Sequence, residues 1–259
     1  MFSVGYAQEG VVIVSEETAG SKTRLSTIYF TKDKMLVEDE KFTVMFDANN
    51  ESLYNIDHKK REYLVLGKED LQMLQQQMAA MMSMIEQQLK NLPPEQREMV
   101  KKNMKEAMPG MATEYSYVYK KVESGIEIKH WNTELYVEIV NEKKQAEFYI
   151  ASFDQINLTK NDFAVFEKLK DLFQEFLEQF SGSLARHNAS FLGIGGDDSP
   201  IMATGIPVKT IDYSSGKKGS EVIIQSIEKK KFASSIFDIP AGYKEVTLKE
   251  EMQGAMMGR

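Results

Sequence analysis

Two amphipathic helices joined at a double proline, set inside a chain of short alternating strands, constrain this sequence more than any other feature. Nine of the sixteen methionines lie between Glu69 and Met111. Leu71, Leu74, Met78, Met81, Ile85, Leu89 and Leu92 recur at spacings of three and four, which places them on one face of a helix. Glu69 and Asp70 sit in its first turn, where negative charge suits the helix dipole. Pro93-Pro94 ends that helix, and Pro94 opens a second one with Glu95 behind it. Val100, Met104, Met108 and Met111 continue the apolar face, and Pro109-Gly110 closes it. Gly67 and Gly110 flank the hairpin as candidate hinges. Met is a common gap filler in cores, yet its adaptable side chain also suits a surface that accepts variable apolar shapes.

On both sides of this hairpin the pattern changes to period two. Residues 10–17, 22–31, 34–39, 42–47, 52–57 and 62–66 read as strands separated by short polar turns. After the hairpin, 114–122, 126–131, 135–140 and 145–151 follow, with Glu142-Lys143-Lys144 as a turn. Late strands are expected at 206–213 and 221–228. The regular spacing argues for an antiparallel meander and an α+β class. A third helix is expected over 161–180, capped by Thr159 or Asn161. Phe163, Phe166, Leu169, Phe173, Phe176 and Phe180 form its aromatic face. The glycine-rich Gly193–Gly196 run lacks the lysine and the strand–helix frame of a phosphate loop, and reads as a loop.

Composition removes several functions. A net charge of −7 argues against a general nucleic-acid binder, which needs a basic surface. No apolar run approaches the length of a membrane span. With no cysteine there is neither a disulfide nor thiolate chemistry. His58, His130 and His187 are far apart, and no HExxH, GxSxG or P-loop pattern occurs. His58 reads as a solvated turn residue and His130 as a structural one. No enzyme activity and no cofactor are expected. Gly5 and Ala7 ahead of Gln8-Glu9 occupy the small-residue positions of a signal-peptidase site, so residues 1–7 read as the end of an export signal.

The order EGVVIV, IYFTKDKMLVE, NIDHKKREYLVL, a Met-rich helix with LPPEQREMV, IPVKTIDY and a terminal FDIPAGYKEV resembles an exported bacterial family, domain of unknown function 4412. That family is similar to the periplasmic lipoprotein carriers (LolA-like and LolB-like). The resemblance implies a curved, incompletely closed antiparallel sheet, a half-barrel, with the hairpin and third helix over its concave face. It implies one LolA-like domain over 8–248 with a helical insertion at 69–111; the tail at 249–259 reads as mobile, as chain ends commonly are. It also implies location in the periplasm or at the outer membrane of a Gram-negative bacterium. Relatives often carry a cysteine in the strand after the hairpin; Gly125–Ile128 has none, so a role tied to that thiol is absent.

The function expected from a sheet facing helices rich in Met and Phe is a non-enzymatic carrier for an apolar ligand. A lipid, a lipoprotein acyl chain or an amphipathic peptide fits. Met78, Met81, Met82, Ile85, Met104, Met108, Phe166 and Phe173 are the candidate lining and lid residues. Two alternatives stand beside it. Thioethers favour Cu(I), and Met78, Met81, Met82 and Met84 are close on one helix, which suggests copper binding. A structural or stress-related envelope protein whose helices bind other proteins is the other.

Overall fold

The protein is seen in a computed structural model that describes residues 7–39, 42–107, 117–179 and 199–256. Six strands come first: β1 (Ala7–Ala19), β2 (Lys22–Phe30), β3 (Lys34–Glu38), β4 (Phe42–Asp47), β5 (Ser52–Asp57) and β6 (Glu62–Leu66). Each pairs antiparallel with the next. The hairpin follows as α1 (Lys68–Lys90) and α2 (Pro94–Ala107). Then come β7 (Tyr117–Ile128), β8 (Trp131–Val140) and β9 (Lys143–Ser152), a 3-10 turn at Lys160–Phe163, and α3 (Ala164–Gln179). β10 (Gly205–Asp212), β11 (Glu221–Ala233), β12 (Lys244–Val246) and α4 (Leu248–Met256) complete the described chain.

All twelve strands belong to one sheet, in the order β12-β6-β5-β4-β3-β2-β1-β11-β10-β9-β8-β7. The two halves are joined by the long antiparallel β1–β11 pair, from Ala7 opposite Ala233 to Thr18 opposite Glu221. β12 adds in parallel to β6. β7 and β12 are the two edges, so the sheet is not closed into a barrel.

Alternation along the strands builds a core on each face. Val11 stands opposite Phe30, Phe30 opposite Met35 and Met35 opposite Phe46, all at most 2% exposed. That row meets Phe163 and, from α3, Val165, Phe166 and Leu169. The Phe30 ring lies 5.2 Å from both Phe163 and Phe166, edge-on to the latter. Burying each such side chain contributes roughly 1.5–3 kcal/mol as an upper estimate. The intervening residues point the other way. Leu36 and Met45 are buried there with Phe237, and Tyr29, Tyr54 and Phe232 pack around them. Gly10 is required at this crossing: a Cβ would stand 2.4 Å from the Phe30 carbonyl oxygen and 2.6 Å from the Phe232 ring.

Polar contacts fix α3 against the sheet. The Asp162 carboxylate accepts from the Thr159 N–H and hydroxyl, each at 2.8 Å, and pairs with Lys229 of β11 at 2.8 Å. Lys168 pairs with Asp33 in the β2–β3 turn.

The structure differs from the sequence reading in several places, among them β11, which runs to Ala233 and not to 228. The strands expected at 114–122 and 126–131 are one strand, β7, followed by the start of β8. Gly125, in the gap between those two expected strands, is a bulge at φ +82° within continuous β7–β8 pairing, and Val122 is a second bulge. The turn between β8 and β9 is Asn141-Glu142, both at positive φ, one step earlier than expected. His58 is no solvated turn residue. Its Nε2 lies 2.8 Å from Thr43 Oγ1 and its Nδ1 3.0 Å from Tyr243 Oη, tying the β5–β6 turn to the C-terminal segment. The tail expected at 249–259 contains α4, whose first turn is capped by Thr247 and Glu250.

Candidate functional site

A cavity built by the described elements lies where α1 begins. Gly67 links β6 to α1, and its N–H donates to the Asp70 carboxylate at 3.0 Å, which fixes the first turn of the helix. Gly67 is extended, at φ −92° and ψ −179°, a conformation open to any residue, so left-handed freedom is not its role here. Leu71, one turn in, is 6% exposed. Beside this anchor is a cavity of about 390 Å³ lined by Phe46, Ala48, Glu51, Lys68, Lys168, Asp171 and Leu172. Its floor is apolar: Phe46 belongs to the core, and Ala48 and Leu172 pack against it. Its rim is charged, with Lys68 from α1, Glu51 from the β4–β5 turn, and Lys168 and Asp171 from α3.

Past Leu71 the hairpin is a half-covered arm. Leu74, Ile85, Leu89, Leu92 and Val100 are half-buried. Met73, Met81, Met84 and Met99 are exposed, Met84 at 60% and Met99 at 63%. Among the stripe residues whose burial is described, only Leu71 is fully buried.

Of the residues expected to line the site, Met81 is 36% exposed and Ile85 half-buried on α1. Met78 and Met82 also fall on α1, Met104 on α2 and Phe173 on α3. Met108 and the run 193–196 lie outside the described residues. Phe166 is 7% exposed and packs on Phe30, inside the core and not on the cavity. The residues that do line the cavity were missed, apart from Leu172, which the aromatic face of α3 brought along. Phe46 was legible only as an apolar strand residue. Nothing in the spacing marked Lys68, Glu51 or Asp171, because the cavity is made by three segments far apart in the chain.

Elsewhere several titratable groups pair with one another. On the face opposite Phe148, Lys144 pairs with Glu147, and Lys209 and Lys218 both pair with Glu221, at 3.4 and 2.7 Å. Tyr149 donates to Glu147, and burial, with the Glu147 charge beside it, pushes its phenol up to about 12. His130 stacks on Trp131 with ring centroids 4.1 Å apart. No three His, Asp or Glu side chains converge as a metal site among the described residues. No described helix is long and apolar enough to cross a membrane.

Fold and site together define an open-sheet α+β protein with a cavity between one sheet face and its helices. No family model and no curated protein matches the chain, so the likeness to domain of unknown function 4412 stands on the motifs quoted above. Among solved structures the chain is similar to an uncharacterized conserved protein from Thermus thermophilus. That similarity has 6% identity and a TM-score of 0.46, over 92% of this chain and 89% of the other. It is also similar to a LolA superfamily protein from Nitrosomonas europaea, at 8% identity and a TM-score of 0.28 over 91% of each chain. Identity and score are low in both, and the functional reading rests on this chain's own cavity.

Proposed function

We propose that this is a non-enzymatic binding or carrier protein of the bacterial envelope, exported to the periplasm or the outer membrane, for a ligand with an apolar chain. The observation that carries the reading is the cavity with an apolar floor at the root of the methionine-rich hairpin. A site of about 390 Å³ with an apolar base and a charged rim falls within the size range of small-ligand sites, roughly 300–1,000 Å³. Twelve strands twisting in one sense cannot stay flat, which supports reading the sheet as a half-barrel with α3 on its concave side. The hairpin then acts as a lid: α1 is held at Leu71, and its exposed methionines Met73, Met81 and Met84 repack over whatever the cavity holds. A lipid or a lipoprotein acyl chain is the partner in this reading.

Titration with a fluorescent fatty-acid probe tests it. Saturable one-to-one binding is expected, and Ala48→Leu, which adds three carbons to the cavity floor, should weaken it. Absence of saturable binding by the wild-type protein, or binding indifferent to Ala48→Leu, would remove this cavity as the ligand site.

A further inference from the structure

The cavity rim carries information that its floor does not. Four charged side chains border it: Lys68, Glu51, Lys168 and Asp171. Lys168 is engaged by the Asp33 carboxylate. Among the described residues, Lys68, Glu51 and Asp171 form no ion pair, whereas charges elsewhere in the chain, such as Lys34 with Asp47 and Lys229 with Asp162, do. Among the described residues, Lys68, Glu51 and Asp171 thus border the apolar residues Phe46, Ala48 and Leu172 as one cation and two carboxylates outside any ion pair.

This arrangement selects a head group. A purely anionic head would meet Lys68 but be repelled by Glu51 and Asp171, on a protein of net charge −7. A purely cationic head would leave Lys68 against a like charge. A head carrying both an ammonium and a phosphate satisfies all three. The volume adds a second restriction: about 390 Å³ is near the small end of ligand sites, which suits one acyl chain better than two or three.

Resting on the carrier reading, we infer that the occupant is a single-chain zwitterionic amphiphile of the lysophospholipid kind. Lys68 takes the phosphate, Glu51 and Asp171 take the ammonium, and the chain lies on Phe46, Ala48 and Leu172. Glu51 offers an unusually clean variant. It stands at φ +46°, in the left-handed region that glycine occupies at less cost, so Glu51→Gly removes the carboxylate without endangering the fold.

Isothermal titration with three amphiphiles of equal chain length, below their micelle concentrations, decides the matter. The probes are lysophosphatidylethanolamine, lysophosphatidylglycerol and an alkyl trimethylammonium salt. The zwitterion is expected to bind about 5-fold tighter than either of the others, the scale of two exposed ion pairs. In Glu51→Gly and in Lys68→Gln, both checked for folding by thermal melt, that margin should shrink below about 2-fold. Equal binding of all three, or tighter binding of the anionic probe, would overturn the head-group assignment and leave the carrier reading in place. Binding of none would overturn both.

Discussion

The Arg97 guanidinium reaches back across the hairpin corner and donates from Nε to the Leu89 carbonyl at 3.0 Å. The same group donates to the carbonyls of Lys90 at 3.1 Å and Leu92 at 3.2 Å. The Leu89 carbonyl also takes the Leu92 N–H at 3.2 Å, so Arg97 reinforces a helix end that has few α-helical bonds left to make. Arg97 of α2 is therefore the C-terminal cap of α1, and the double proline is only half of the corner. It dictates where α1 stops, while Arg97 holds the two arms together. Because the corner is exposed, its loss is expected to be local. In Arg97→Ala, amide exchange in the last turn of α1 should quicken roughly 5-fold, equivalent to about 1 kcal/mol, with no change in the β1–β11 amides. Exchange followed by mass spectrometry reads both. Unchanged exchange at residues 86–92 would mean that the prolines alone fix the corner.

Asp162 makes stability depend on pH at the entry to α3. Burial pushes its carboxyl up, but the Lys229 ammonium and the two Thr159 donors outweigh burial and hold it below the usual carboxylate range. A group whose folded pKa is depressed stabilises fully above its unfolded value, about 3.9, and loses that effect as pH falls through the folded value. Asp162→Asn should therefore cost about 1 kcal/mol at neutral pH, the usual scale for a helix cap. Denaturant melts across pH should show the gap between variant and wild type narrowing below about pH 4. A gap that stays constant into acid would assign the cost to shape and not to charge.

Exposed methionines give the copper alternative a direct check. Met81 and Met84 are solvent-accessible and one turn apart on α1. If thioethers serve the apolar stripe, Cu(I) should bind weakly and without fixed stoichiometry in a competition titration with a chromophoric chelator. Tight one-to-one binding that disappears in Met81→Leu/Met84→Leu, which keeps apolarity while removing sulfur, would favour the copper reading instead.

The sequence carried the local structure well, because period two and period 3.6 are set by neighbours along the chain. The expected strands from 34 to 66 agree with β3–β6 to within a residue, and α1 and α2 meet at the double proline as read. What alternation could not reveal was how strands continue through irregularities. Gly125 lies in the gap between two expected strands, but in the sheet it is a bulge that lets β7 run on to Ile128. The return of the chain end was also hidden. β12 has only three residues, and its place beside β6 depends on long-range partners such as Tyr243 with His58 and Glu245 with Tyr63. The site was legible by region and not by residue. A helical stripe tells which side chains share a face, but not how far along the helix the covering ends. Here, among the α1 residues whose burial is described, only Leu71 is fully buried, and the cavity walls come from β4, the β4–β5 turn, the start of α1 and α3.

Leu71 and Met81 lie on the same predicted stripe, and the structure gives them opposite surroundings, 6% and 36% exposed. A carboxylate at each position separates anchor from lid. Leu71→Asp buries an unpaired charge beside the core and should cost about 3 kcal/mol or more, seen as a large fall in the thermal midpoint. Met81→Asp leaves its carboxylate in water, so the midpoint should move by no more than about 0.5 kcal/mol, or one to two degrees in a chain of this size. If the arm folds over the ligand, the same Met81→Asp protein should bind a fluorescent fatty-acid probe several-fold more weakly, because the chain would then meet a charge where it met a thioether. Both readouts come from one pair of variants. A Met81→Asp protein that unfolds like Leu71→Asp, together with a wild type that takes up no probe, would make the hairpin an ordinary part of the core and end its role as a lid.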